Sequence, residues 1–534
     1  MQSQQISYRD TGFVSKMVCD LFEGKESLDA FYGNPPTLDN FKVQLIEKKE
    51  NFSPNQREVL VSSLISQYSN LLQKGSPIDL NIERLTLSNT FTITTGHQLN
   101  LMTGPLYFLY KIISTLNLCK TLKKAHPDFN FVPLYWMATE DHDFEEINFF
   151  NFKNKKFRWN LNPKGPVGRL NTDGLENVLN EMKKYFNFPD YKELLSLFES
   201  SYLKHKNLSL ATFNLVHSLF GKYGLLVIEP DNKHLKKLFS EIILDELLNN
   251  NLNTNVIKTN NELNKIFDNS YTPQVNSREI NLFYIKDNLR ARIEKNDEVF
   301  NILETDISFT KSEIINEVNN NPERFSPNAL LRPVYQEFIL PNLAYVGGGS
   351  EIAYWLQLKE YFNFKKITFP ILSVRSSVLF VSKKQKDKCE KFKISISNLF
   401  NKSNKLTQLY LIKNSKIKID LSNQKNAIKE NFSQFHKLAK LTDKSFLGAV
   451  RAQEKKQIKG IENLEKRLIR AEKRIHEDNL SRLFVLKNEL FPNDSFQERQ
   501  VNFSTFFKEN GYDFIEILIK NLDPFKKEFL ILEF

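Results

Sequence analysis

Two hydrophobic periods alternate along this 534-residue chain, and each change from one to the other marks an element. The first 85 residues carry helical spacing, interrupted at Gly33-Asn34-Pro35-Pro36 and Gly75-Ser76-Pro77. At Thr90–Thr94 the pattern becomes a short β-branched run, the composition of a strand, which ends at Thr95-Gly96-His97-Gln98. Beyond Thr103-Gly104-Pro105, a proline at the first helical position followed by Leu106, Leu109, Tyr110, Ile113 and Leu116 predicts a helix. Phe131–Met137 is apolar without alternation, as in a strand buried on both faces. Strand, helix and strand within about 45 residues make one βαβ unit and imply a parallel sheet. The pattern resumes with a helix over 208–222, a strand at Gly224–Ile228 and a helix from Pro230-Asp231 to about 250. Leu343–Val346 then leads through Gly347-Gly348-Gly349 into a helix at Ser350–Phe362. The Ile367–Val374 run is a last strand, which Pro370 assigns to an edge or a strand end. Residues 86–380 therefore predict a doubly wound α/β core, with insertions at about 147–200 and 255–330, on which the helical residues 1–85 pack.

Residues 381–491 differ. From Ile461 through Leu464, Leu468 and Ala471 to Ile475 the apolar steps are 3, 4, 3 and 4, a coiled-coil seam, with Val450 and Ile458 upstream. No proline occurs between Pro370 and Pro492, and Ile428, Phe432, Phe435 and Leu438 predict a helix folding back on the seam. A long helix packed on the body is the alternative, but it would normally show a wider apolar stripe. Residues 492–534 read as a segment returning to the core.

Charge sharpens this division. The whole chain carries 74 Lys+Arg against 63 Asp+Glu, a net +11, yet residues 381–480 alone hold 25 basic and 11 acidic side chains. A basic arm on a near-neutral body excludes a protein that is polyanion-binding throughout. Cys19, Cys119 and Cys389 lie far apart, with no CxxC, which argues against a disulfide framework or a cysteine zinc site and suits a reducing cytosol. No apolar run reaches the roughly 18 residues of a membrane span. The expectation is a cytoplasmic protein without membrane or nucleic-acid partners.

Three polar clusters fall at predicted strand ends, where open parallel sheets bind ligands. Thr95-Gly96-His97-Gln98 and Thr103-Gly104 precede a helix whose N-terminus could receive an anion, with Lys111 about two turns inside; a plain strand-to-helix turn is the alternative. Glu140-Asp141-His142-Asp143 follows a buried strand. A histidine among carboxylates suits general acid/base work, with His142 oriented by Asp141 or Asp143; an acidic capping turn is the simpler alternative. No HExxH or comparable set predicts a metal. Gly347-Gly348-Gly349-Ser350-Glu351 could form a backbone cradle for phosphate or carboxylate, though a flexible turn is as consistent. Arg332 with Gln336 upstream, and Arg375 downstream, add cations suited to carboxylate or phosphate. Cys119, on an apolar helix, reads as packing.

The stretches TGHQLNLMTGPLYFLYK (Thr95–Lys111), VPLYWMATEDHDFEEIN (Val132–Asn148), LRPVYQEFILPNLAYVGGGSEIAYWLQLK (Leu331–Lys359) and FQERQVNFSTFF (Phe496–Phe507) together resemble the bacillithiol biosynthesis cysteine-adding enzymes. The resemblance covers nearly the whole chain. It implies a nucleotidyltransferase-like Rossmann core with inserted connecting segments, a coiled-coil domain that helps form a homodimer, and ligation of cysteine to glucosaminyl-malate. Amide formation requires an activated carboxylate, so ATP or ADP is the candidate cofactor. Two positions depart from the family pattern: glutamine is common at position 97, and the glycine run often reads GGPGE. Outside this resemblance, the same core would serve a nucleotidyltransferase acting on a small metabolite. A non-enzymatic reading makes the basic coiled coil a binder of nucleic acid or a partner helix.

Overall fold

The computed structural model describes residues 3–153, 155–186, 189–442 and 444–533. The chain divides into two compact units. One comprises Val14–Ser377 with Glu498–Glu528, the other Met1–Phe13 with Val378–Gln497 and Phe529–Phe534.

In the first unit the five apolar runs form one parallel sheet. Its order is Ile371–Val374, Asn342–Gly347, Thr90–His97, Asn130–Met137, Leu226–Ile228. Numbered along the chain this is 5-4-1-2-3, the doubly wound order. The direction of winding reverses between Thr90–His97 and Asn342–Gly347, and a crevice opens beyond the carboxyl ends of such a pair. Every residue of Thr90–His97 is buried, which accounts for its lack of apolar–polar alternation. Phe91 and Ile93 face a core shared with Phe41 and Leu45 of one helix and Leu118 and Leu122 of another. Thr92 and Thr94 alternate to the opposite side, where both donate to Asn342 Oδ1. Pro370 precedes the edge strand, where its missing N–H costs no ladder bond.

The 147–200 insertion contains an antiparallel hairpin, Phe149–Phe152 with Lys155–Arg158, followed by helices. The 255–330 insertion builds an antiparallel sheet ordered Ser308–Thr310, Val299–Ile302, Leu289–Asn296, Leu282–Lys286, Phe325–Pro327. The helix expected over Ser350–Phe362 is two helices, Gly349–Leu356 and Lys359–Lys365. At the break, the Gln357 side chain donates to Asn260 Oδ1 and the Val275 carbonyl.

The second unit pairs helix Ser422–Lys440 with the 32-residue helix Lys444–Ile475, the fold-back that the apolar spacing predicts. Its three-stranded sheet corrects the expectation of a purely helical N-terminal stretch: Ser3–Ser7 is a strand beside Glu528–Glu533, which runs parallel to Val378–Val381. Five largely polar residues carry no period of their own, and only pairing with a strand more than 500 residues away fixes them. Among the described residues, no helix is long and apolar enough to cross a membrane.

Candidate functional site

The carboxyl ends of the central strands open onto two neighbouring cavities with shared walls at Gln98, Tyr107 and Glu351. The first, about 360 Å³, is lined by Gly96, His97, Lys111, Trp136, Arg290, Arg332, Tyr345 and Tyr354. The second, about 520 Å³, is bordered by Gly104, Glu145, Glu146, Gly348–Ser350, Arg375 and Arg499.

Lys111 ties the sheet ends together. From two turns inside its helix, its Nζ reaches the Gly96 carbonyl at 2.6 Å and Glu351 at 2.5 Å. Burial lowers the Lys111 pKa, and the Glu351 carboxylate opposes part of that shift. Burial alone would raise Glu351. The Lys111 charge and hydrogen bonds from Lys111, Tyr345 and the Gly348 amide outweigh it and hold the carboxyl below its ordinary range. That last bond changes the expected glycine cradle. The Gly348 N–H is spent on Glu351 at 3.3 Å, and the Gly347 carbonyl accepts from Arg375 N. What faces the second cavity is the start of the Gly349–Leu356 helix at Gly349 and Ser350.

Arg332 lies between the rings of Trp136 and Tyr345, with Nη1 donating to Gln336 and Nη2 to Tyr354. Among the described residues no carboxylate comes within ion-pair distance of it, so a guanidinium facing the first cavity keeps its charge available. Gln336 is itself wholly buried and supports Arg332 from behind. Arg375 is different: its Nη2 binds the buried Glu498 carboxylate at 2.7 Å, and its Nη1 binds Ser377 and the Ser376 carbonyl. Arg375 therefore closes the wall of the second cavity as an ion pair rather than standing ready for a ligand, a correction to its expected role.

His97 is buried, stacked on Tyr107, and its Nδ1 donates to the Gln98 carbonyl at 3.0 Å. Nε2 is then an acceptor, and it has no partner among the described residues. Burial, reinforced by the Lys111 and Arg375 charges, pushes the His97 pKa well down, so the ring stays neutral.

The acidic loop departs most from expectation. Glu140 turns inward and forms a 2.5 Å ion pair with fully buried Lys236, which also donates to the Phe325 carbonyl. Asp143 caps a short helix by accepting from Glu146 N. Asp141 accepts from the His142 amide and from Gln98 Nε2; these bonds and the nearby Arg290 charge overcome burial and depress its pKa. Its carboxylate is 3.6 Å from His142 Nδ1, too long for a hydrogen bond. The partner of His142 Nδ1 is instead Arg290 Nη1 at 2.6 Å. Neither neighbouring carboxylate orients the imidazole, because both are used by the loop backbone.

Thr95 donates to the Val346 carbonyl across the sheet and presents no hydroxyl to the crevice. Thr103 is buried beside the positive-φ Gly104, in a turn pinned by Asn502 Nδ2 on the Met102 and Gly104 carbonyls. The Leu106 amide donates to Val501 O, and the following helix begins only at Tyr107. That N-terminus is thus partly filled by the chain itself, not an open anion cradle. Sequence reasoning missed Arg290, which arrives on an insertion strand, and Arg499, an exposed side chain without an ion-pair partner among the described residues. The second lay within the Phe496–Phe507 stretch; no local signal marked the first.

Residues 1–376 match the family model described as "Bacillithiol biosynthesis BshC, N-terminal Rossmann-like domain", and residues 378–534 match "Bacillithiol biosynthesis BshC, C-terminal coiled-coil domain". The chain is 50% identical over 533 residues to the "Putative cysteine ligase BshC" of Flavobacterium johnsoniae, with all of both chains covered. It is 49% identical over 535 residues to that of Flavobacterium psychrophilum, again across both chains. Against the Bacillus anthracis protein of the same name identity is 30% over 542 residues, covering 97% of each. Two matched domains and full-length relatives place this chain in the BshC family of bacillithiol biosynthesis.

Proposed function

We propose that this crevice joins cysteine to glucosaminyl-malate through an amide bond, using an activated carboxylate. The observation that carries the reading is a pair of arginines, Arg290 and Arg332, lining one cavity without carboxylate partners among the described residues. Guanidinium forks match carboxylate geometry, and a malyl group offers two carboxylates. Trp136, Tyr345 and Tyr354 give that cavity flat apolar walls suited to the face of a sugar ring. His97 Nε2 supplies a neutral acceptor for an amine or hydroxyl hydrogen.

The second cavity has the polar groups for the other reactant. Glu146, which accepts one bond from Gln98, and Glu145, which is paired with Arg158 at the surface, leave carboxylate oxygens for an ammonium group, while Arg499 and the helix start at Gly349-Ser350 suit a phosphate. An adenine nucleotide fits that donor set and, when bound, supplies the activating group for the carboxylate. Gln98, Tyr107 and Glu351 in the shared wall keep the two reactants adjacent. We extend the proposal to a cytoplasmic homodimer. Along the helical arm Leu438, Leu441, Leu464 and Ile475 are exposed, Leu441 by 84%, and a second copy would cover them. Sedimentation of the full chain against a Leu438→Lys, Leu464→Lys variant tests this, with the variant expected as monomer; identical sedimentation of the two overturns it.

The function is tested by thiol profiling of cells carrying Arg332→Ala in place of the native copy, at matched expression of folded protein. Loss of bacillithiol with accumulation of its glucosamine-linked precursor is expected. An unchanged profile would refute the assignment.

A further inference from the structure

The contact between His142 and Arg290 has a fixed polarity. A guanidinium only donates, so at 2.6 Å the Nδ1 of His142 accepts, and its ring is the neutral Nε2–H form. Arg290 comes from the Leu289–Asn296 strand of the inserted sheet. It stacks on Phe283, with the guanidinium carbon 3.8 Å from the ring centroid, and Nη2 lies 3.5 Å from Ser326 Oγ. Its Nε is buried with no partner among the described residues, and the side chain lines the first cavity. His142 does not line that cavity; it sits on the rim, its side chain 54% exposed.

We propose that His142 is a positioning residue for Arg290. The imidazole acts as a neutral post that aims the guanidinium at the carboxylate or phosphate group of a ligand, and is not the acid or base of the reaction. This rests on the crevice being the ligand site, and it reverses the roles that the acidic loop's composition suggests. The loop serves the arginine. A rim histidine joined to an arginine from an insertion also gives that insertion a function: it delivers a cation to the crevice.

The consequence is non-additivity. If His142 acts through Arg290, removing it matters only while Arg290 is present. Titration calorimetry of the full-length chain with L-malate, and separately with inorganic phosphate, tests this on four proteins: wild type, His142→Ala, Arg290→Ala and the double variant. Circular dichroism controls for folding, and Arg290→Lys serves as a charge-preserving control. Expected are roughly tenfold losses of affinity in each single variant and no further loss in the double variant. His142→Asn places an amide oxygen near the position of Nδ1 and should bind within about threefold of wild type, with kcat for ligation largely retained. Equal and additive losses would overturn the proposal. So would a His142→Asn variant that binds normally but is as inactive as His142→Ala, or a wild-type chain that binds neither anion at millimolar concentration. Preference for malate over phosphate is expected, since the malyl carboxylates are assigned to this cavity; preference for phosphate would overturn that assignment. Because the cycle reads binding, it can succeed even if thiol profiling rejects cysteine ligation.

Discussion

Replacing Glu351 by glutamine would leave the Lys111 ammonium buried without a counter-charge, with only neutral oxygens, the Gly96 carbonyl and the new amide, as acceptors. Removing one member of a buried ion pair costs about 3–5 kcal/mol. Glu351 keeps 26% of its side chain exposed, so the lower end, about 3 kcal/mol, is appropriate. The assay can be made specific to the unit with the five-stranded parallel sheet because Trp136, Trp159 and Trp355 are all buried within it. For a unit of about 400 residues, an unfolding entropy of about 2.1 cal/mol/K per residue gives about 0.8 kcal/mol/K, so 3 kcal/mol lowers the tryptophan-detected Tm by about 4 °C. The pH dependence supplies the sharper check. Lys111 has a folded pKa below its unfolded value, so the unfolded chain holds more protons in that interval and stability rises with pH there. Without Glu351 the folded pKa falls further. The gap between wild type and Glu351→Gln is thus widest near neutrality and narrows as pH climbs toward the ordinary lysine value. A gap under 1 °C, or one that does not change between pH 7 and pH 10, would refute this account of the pair.

Other consequences can be checked with the same fluorescence. Gly104→Ala puts a side chain at φ +61° with its Cβ 2.6 Å from Asn100 Cβ, and should cost about 2–3 kcal/mol with a matching fall in Tm. Lys236→Met strands the Glu140 carboxylate and should cost about 3–5 kcal/mol at neutral pH. Burial already raises the Glu140 pKa, so the deficit should shrink as pH falls and the carboxyl takes a proton. Asp141 is held below its ordinary range, and its stabilising contribution is present at neutral pH and lost as pH drops below about 4. An Asp141→Asn chain should show a flatter acid limb in its Tm–pH curve.

The sheet was legible because buried parallel strands are written as unbroken apolar runs, and Pro370 marked its own strand as an edge or a strand end, of which the first holds. The crevice was legible only as one of two readings, since glycine and carboxylate clusters at strand ends serve equally as turns and helix caps. What composition could not reveal was which polar groups are already satisfied. Thr95, Arg375, Glu140 and Asp143 look equally reactive in sequence, yet each is committed to a specific partner: Val346 O, Glu498, Lys236 and Glu146 N. Arg290 was invisible for the opposite reason. It stands 148 positions from His142 on a strand with ordinary alternation, and only tertiary folding joins the two. The Ser3–Ser7 strand escaped for a similar reason, its pairing being among the most distant in the chain.

The Glu498–Asn502 stretch has a bearing on biogenesis. A nascent chain that has just produced Val374 already holds all five strands of the parallel sheet. Arg375 must nevertheless wait for Glu498, and the Met102–Gly104 turn for Asn502, until the ribosome has translated more than a hundred further residues. During that interval the half-built wall lacks this ion pair and these hydrogen bonds. Synthesis of the helical arm therefore acts as a timer on maturation, and stalling within it should yield a chain with a formed sheet but an unfinished, protease-sensitive mouth.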